Sequence, residues 1–140
     1  MPRAVLDTNV LVSALISPGG SSAALMLELR AGAFELLVSP LLLEELAEVL
    51  ARPKFRSYVS AAEAAAYLEL VGTEATVVDD LPPGDHVFTA DPGDEFLIGL
   101  ARAALADAIV SGDAHLLDLR GSLPVKTPAE FLSSLAIEGA

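Results

Sequence analysis

The chain of 140 residues has no cysteine, which excludes disulfides, thiolate metal sites and a cysteine nucleophile together. It has no tryptophan and only two histidines, His86 and His115. Without a helical i, i+4 pair or a cysteine partner, these make a poor zinc site. Long hydrophobic runs are missing as well. The most apolar stretch, 96–110, is interrupted by Arg102 and Asp107, short of the roughly 20 clean residues that a spanning helix needs. No membrane segment is expected. Met1-Pro2-Arg3 runs directly into Ala4-Val5-Leu6 without a basic leader or apolar h-region, so a cytoplasmic location is the expectation. Positive charge is scarce too. Eight Lys and Arg against 20 Asp and Glu give a formal charge of −12, a balance that repels polyanions. Nucleic acid could approach only with help. Divalent cations held by carboxylates would supply it, since they reverse the local sign where a phosphate must sit.

What is present is apolar material, 53% of the residues, enough for one domain over 1–140 and too short a chain for two. Runs of strand length with β-branched or aromatic content lie at 4–6, 34–38, 75–78 and 108–110. Between them lie helical patterns. Ser21 or Ser22 would cap a helix closing at Gly32, and Ser39 with Pro40 at the first helical position would open a helix over 41–52. Ser60 with Glu63, and Thr127 with Glu130, have the spacing of capping boxes, for helices to about Val71 and Leu135. Strands alternating with helices imply right-handed crossovers and a mainly parallel sheet covered on both faces. The fold class is α/β. The segment 79–93, rich in Pro, Gly and Asp, is expected as a loop whose acids Asp79, Asp80 and Asp85 are solvated.

In such a sheet every strand ends on one edge, and helix starts lie near that edge. Asp7 follows the first strand, and Asp113 follows 108–110 after Ser111-Gly112. Asp94 would open a helix over 95–106, and Glu45 lies in the second turn of the helix begun after Ser39. These four acids are far apart along the chain, so only the fold can gather them. Gathered, they would repel one another unless a cation sat among them. Hard oxygen ligands without His or Cys select Mg²⁺ or Mn²⁺ over zinc, and such a centre hydrolyses phosphodiesters.

The segment Val5-Leu6-Asp7-Thr8-Asn9-Val10-Leu11-Val12-Ser13-Ala14 resembles the opening signature of PIN-domain nucleases. The resemblance continues through Ser39-Pro40 to Glu45-Leu46-Ala47-Glu48-Val49-Leu50, through Asp91-Pro92-Gly93-Asp94 to Ala101, and through Ile109-Val110-Ser111-Gly112-Asp113 to Leu116-Leu117. Within the family the chain is most similar to VapC-like ribonucleases, the toxin components of toxin–antitoxin pairs. The resemblance implies a three-layer α/β/α sandwich around a five-stranded sheet of order 3-2-1-4-5, with Asp7 and Asp113 as neighbours. It also implies a Mg²⁺- or Mn²⁺-dependent endoribonuclease with an antitoxin partner, assembled as a homodimer. Its catalytic acids would be Asp7, Glu45, Asp94 and Asp113, with Asp7, Asp94 and Asp113 as metal ligands. Asn9 and Ser111 would position waters or backbone around them. Ser111 stands where many relatives carry Thr, so a hydroxyl is kept. Glu45 is chosen over Glu44 for its offset to the Val49-Leu50 face. Asp94 is chosen over Asp91 for its spacing to Gly99 and Ala101.

Plainer readings compete at several positions. Asp7 alone would read as an Asx turn, and Asp113 and Asp94 as helix caps. Glu45, between Glu44 and Glu48, would read as a solvated helix face. The basic cluster Arg52, Lys54 and Arg56 reads as a helix C-terminus complementing its dipole, and Gly19-Gly20-Ser21-Ser22 as a loop and cap rather than a phosphate cradle. A phosphotransfer receiver needs a late Lys in the fold, where Lys126 is the one present, and a haloacid-type phosphatase needs Asp-x-Asp-x-Thr where this chain has Asp7-Thr8-Asn9. The remaining alternative is a PIN-like module that binds RNA or antitoxin without cutting.

Overall fold

A computed structural model describes residues 1–80 and 92–138, the side chains of 92–95 and 138 excepted. The chain runs β1 (Arg3–Leu6), α1 (Thr8–Ile16), α2 (Ser21–Arg30), β2 (Glu35–Val38) and α3 (Pro40–Leu50). After a 3₁₀ turn at Pro53–Phe55 come α4 (Ala61–Glu74), β3 (Thr76–Val77), α5 (Pro92–Ala103), β4 (Ala108–Val110), α6 (Ala114–Leu117), β5 (Val125–Lys126) and α7 (Pro128–Glu138). The five strands form one sheet in the order β3-β2-β1-β4-β5, every pair parallel. Helices cover both faces, giving three layers.

The central strand explains the order. Ala4, Val5 and Leu6 of β1 are fully buried, as are Leu36, Leu37 and Val38 of β2, as expected of strands covered by helices on both sides. In register, Val5 lies opposite Leu37 on one side and Ile109 on the other. Phe34 and Phe131 meet edge to face, ring centres 5.2 Å apart, and tie the start of β2 to α7.

Local signals in the sequence set the helix starts. The Ser39 hydroxyl accepts from the Leu42 amide at 3.2 Å, with Pro40 opening α3. Both capping boxes form: Ser60 and Glu63 exchange bonds at 3.0 Å, and Thr127 and Glu130 at 2.8 and 3.1 Å. Three details differ from expectation. Gly20, not Ser21 or Ser22, precedes α2 as its cap, and it offers no side chain. Helix α5 starts at Pro92, which puts Asp94 inside the first turn rather than before it, because Pro is preorganised for the first helical position. Asp80, expected as a solvated loop acid, accepts from the Leu41 amide at 2.9 Å and braces the start of α3. The rest of the expected loop through Asp85, at 81–91, lies outside the described residues.

Helix α1 was not among the expected elements. It is buried through Thr8, Val10, Leu11 and Val12, and the Tyr67 hydroxyl of α4 donates to the Leu11 carbonyl at 2.6 Å. Burial pushes the Tyr67 phenol well above its ordinary range, so it stays a donor at all working pH values. No single helix among the described residues is long and apolar enough to cross a membrane.

Candidate metal centre

Asp7 joins β1 to α1. Its amide extends the sheet ladder by donating to the Val110 carbonyl at 2.9 Å. It is the N-cap residue of α1, yet its carboxylate does not cap that helix. Instead Oδ2 accepts a 2.8 Å bond from the Ser111 hydroxyl. Ser111 is fully buried just beyond β4, and its amide donates to the Lys126 carbonyl at 2.9 Å. The same Ser111 oxygen accepts from the Asp113 amide at 3.0 Å. One hydroxyl, donating once and accepting once, thus orients the two residues that the β1–β4 pairing brings together. Asp113 Oδ1 in turn caps α6 by accepting from the His115 amide at 2.8 Å. The helix-cap reading of Asp113 therefore holds alongside its place in the cluster.

Electrostatics set Asp7 apart. Burial pushes its carboxyl above the usual carboxylate range. The Ser111 bond and the nearby Asn9 and Thr8 amides pull the other way, while the Asp113 charge adds to the rise. The ion pairs among the described residues are Arg3–Glu35 and Arg120–Glu130, so no described cation offsets either aspartate.

Glu45 reaches the same edge from α3. It is partly buried, and its Oε2 accepts from the Thr8 hydroxyl at 2.9 Å, whereas Glu44 and Glu48 are exposed. Thr8 is buried at the start of α1, directly after Asp7, and donates to the Glu45 carboxylate across from it on α3, a role that reading the sequence missed. Its signal was a hydroxyl directly after a strand-end aspartate, at the first position of a helix. Asp94 sits in the first turn of α5 with its side chain outside the described set, and Asp91 and His86 lie outside the described residues. Asn9 is exposed beside Asp7, and His115 is exposed on α6.

Of the basic cluster, Arg56 donates to the Leu50 and Val59 carbonyls and so closes the end of α3, as the dipole reading expects. Lys54 lies 5.1 Å from the centre of the Phe55 ring.

Among the described residues no three acids or histidines converge closely enough to hold a metal; the pair Asp7 and Asp113 is what they contribute. The chemistry of that pair suits a hard divalent cation. Its donors are carboxylate oxygens without sulfur or imidazole, one of them is desolvated, and their mutual repulsion is not offset. Beside Asp113 opens a cleft of about 330 Å³ lined by Asn9, Val10, Ser13, Ser22, Gly112, Asp113 and Pro128.

The PIN domain family model matches residues 3–115, a span that holds β1 through Asp113. The chain belongs to the PIN-domain family. No curated protein matches it. Among solved structures, PAE2754 from Pyrobaculum aerophilum superposes on this PIN domain with a TM-score of 0.71 at 17% identity, covering 97% of this chain and 96% of that one. VapBC2 from Rickettsia felis, solved bound to a DNA fragment from its promoter, superposes with a TM-score of 0.62 at 17% identity, covering 89% and 98%. At those identities the two show a shared PIN fold.

Proposed function

We propose that this PIN domain is a Mg²⁺- or Mn²⁺-dependent endoribonuclease and the toxin of a toxin–antitoxin pair. The observation that supports it most is the Ser111-bridged pair of Asp7 and Asp113 at the ends of β1 and β4, desolvated on one side and without a described cation. Asp7, Asp94 and Asp113 would hold the ion. When bound, the metal lowers the pKa of a water and neutralises charge developing on the phosphoryl oxygens. The chain's own residues do the positioning. Ser111 fixes the rotamer of Asp7 and the backbone of Asp113. Glu45 spends one oxygen on Thr8 and keeps the other to orient an attacking water. Asn9, exposed at the start of α1, faces solvent where substrate must enter.

The toxin assignment is supported by the VapBC2 neighbour, solved bound to a DNA fragment from its promoter, and by the charge of −12. That charge attracts a basic antitoxin segment from a distance, and an Arg from it would pair bidentately with the aspartates. A homodimer working in the cytoplasm belongs to the same proposal.

The test is cleavage of a mixed RNA pool by purified protein. Cleavage should need Mg²⁺ or Mn²⁺, stop on chelation, and fall to a small remainder in Asp7→Asn, Asp94→Asn and Asp113→Asn. His115→Ala should cut like wild type. RNA bound but uncut in excess Mn²⁺, with Asp7→Asn no different from wild type, would overturn the enzyme reading in favour of a binding module.

A further inference from the structure

The cleft beside Asp113 has a wall that the metal chemistry does not use. Asn9 and Ser13 lie one turn apart on α1, and Ser22 lies in the first turn of α2; all three line the cleft. None of their side chains makes a hydrogen bond among the described residues, although Ser22 is 93% buried, with 7% of its surface exposed. Its hydroxyl is nevertheless not an enclosed atom, since among the described side chains the buried oxygen without a partner is Asp80 Oδ1, so the Ser22 oxygen opens to solvent or to a ligand. The lining says where it is satisfied. Val10 and Pro128 supply an apolar wall, and Gly112, where an added Cβ would meet nothing within 4 Å, leaves the rim open next to Asp113.

Size and chemistry narrow the occupant. At about 330 Å³ the cleft lies near the small end of ligand pockets, about 300–1,000 Å³, so it takes a single nucleoside rather than a length of strand. Serine hydroxyls donate and accept, as ribose hydroxyls do, and the Asn9 amide does both through separate atoms. Phosphate-binding sites instead collect donors and positive charge, and the described lining of this cleft has no Lys or Arg side chain and holds Asp113. A sugar and base fit it; a phosphate does not.

We propose that this cleft is a ribonucleoside subsite, which seats the nucleotide next to the scissile phosphate and reads its ribose hydroxyls through Ser13 and Ser22, with Asn9 at the mouth. The inference rests on the nuclease reading for its place in the reaction, but not for its binding. It gives the chain a basis for preferring RNA over DNA, because the 2′-hydroxyl distinguishes the two at a given site.

The experiment has two arms. In the first, ¹⁵N-labelled protein with Mg²⁺ is titrated with the four ribonucleoside 5′-monophosphates and their 2′-deoxy counterparts. The amides of Ser13, Ser22 and Gly112 should shift with the ribonucleotides and respond at least several-fold more weakly to the deoxy forms. Equal responses to both sugars, or shifts confined elsewhere, overturn the proposal. In the second arm, RNA cleavage is followed for Ser13→Ala/Ser22→Ala, with Ser13→Leu as a variant that fills the cleft from a half-exposed position. Each should raise KM about tenfold, the loss of two hydrogen bonds of about 1 kcal/mol or less each, with kcat within twofold of wild type and an unchanged thermal midpoint for Ser13→Leu. An unchanged KM in both variants overturns the proposal. If wild type cuts no RNA, the nuclease reading fails, and the nucleotide titration alone decides the subsite.

Discussion

Replacing Ser111 with Ala removes one oxygen and breaks two contacts at once. The bond to Asp7 is charge-assisted, and such bonds contribute about 1.5–3 kcal/mol; the bond from the Asp113 amide contributes about 1 kcal/mol. Since Ser111 is fully buried, water does not replace the hydroxyl without moving the ends of β1 and β4. Ser111→Ala should therefore destabilise the metal-free protein by about 2–4 kcal/mol at neutral pH, lowering the thermal midpoint by roughly 6–15 °C for a domain of this size. The loss has a defined pH dependence. Asp7 already titrates above the usual carboxylate range because of burial, and losing the Ser111 bond raises it further. A raised carboxyl favours the folded state while protonated and loses that advantage as pH rises through its folded value. The gap between Ser111→Ala and wild type should thus be small near about pH 3 to 4 and widen toward neutrality. Thermal melts in chelator at four or five pH values measure it. Ser111→Thr keeps the hydroxyl and should lose much less. A double-mutant cycle with Asp7→Asn should give a coupling of about 1.5 kcal/mol or more. Coupling near zero, or a pH-independent gap, would refute the bridging role.

Three further outcomes are expected. Asp7→Asn should raise the metal-free midpoint at neutral pH, an advantage that fades in acid as wild-type Asp7 protonates. At a hundredfold excess over Kd, Mg²⁺ should stabilise wild type by about 2.7 kcal/mol and the variant much less, as differential scanning calorimetry would read. Thr8→Val, which keeps shape but leaves Glu45 without its donor, should cost about 1 kcal/mol in denaturant melts and lower kcat with KM unchanged. Leu105, two residues past the end of α5, has φ 54° and is exposed. Leu105→Gly should therefore gain up to about 1 kcal/mol, while Gly32→Ala, at φ 82° beyond α2, should lose about that much; equal and neutral effects would contradict the backbone argument.

Signals confined to one segment could be read from the sequence. Both capping boxes, the Ser39-Pro40 start and the apolar strands β1, β2 and β4 follow from residues within four positions of one another. Helix α1 could not be read that way. Asp7-Thr8-Asn9 has turn chemistry, and the run behind it is apolar on nearly every side, a pattern shared by buried helices and buried strands. Strand β5, two residues long, is too short for any periodicity and came only with the family resemblance. At the site, Asp7 and Asp113 could be expected together because both follow strands. The Thr8–Glu45 bond depends on how α1 packs against α3, and the hydroxyl wall of the cleft on how α1 meets α2; neither angle is written in local pattern. Ser111 was expected beside the acids, but its double role became visible only with the register of β1 against β4.

The pairing of β1 with β4 also fixes when the centre comes into being. Asp7 leaves the ribosome before its partners Ser111 and Asp113, which lie more than a hundred positions later in the chain. Until β4 emerges and docks along β1, Asp7 has neither the hydroxyl that orients it nor the second carboxylate. A chain broken before residue 108 carries the whole opening signature yet has no centre. The contact is of the non-local kind that forms late in folding, and only a chain extending through β4 and folded brings the two aspartates together.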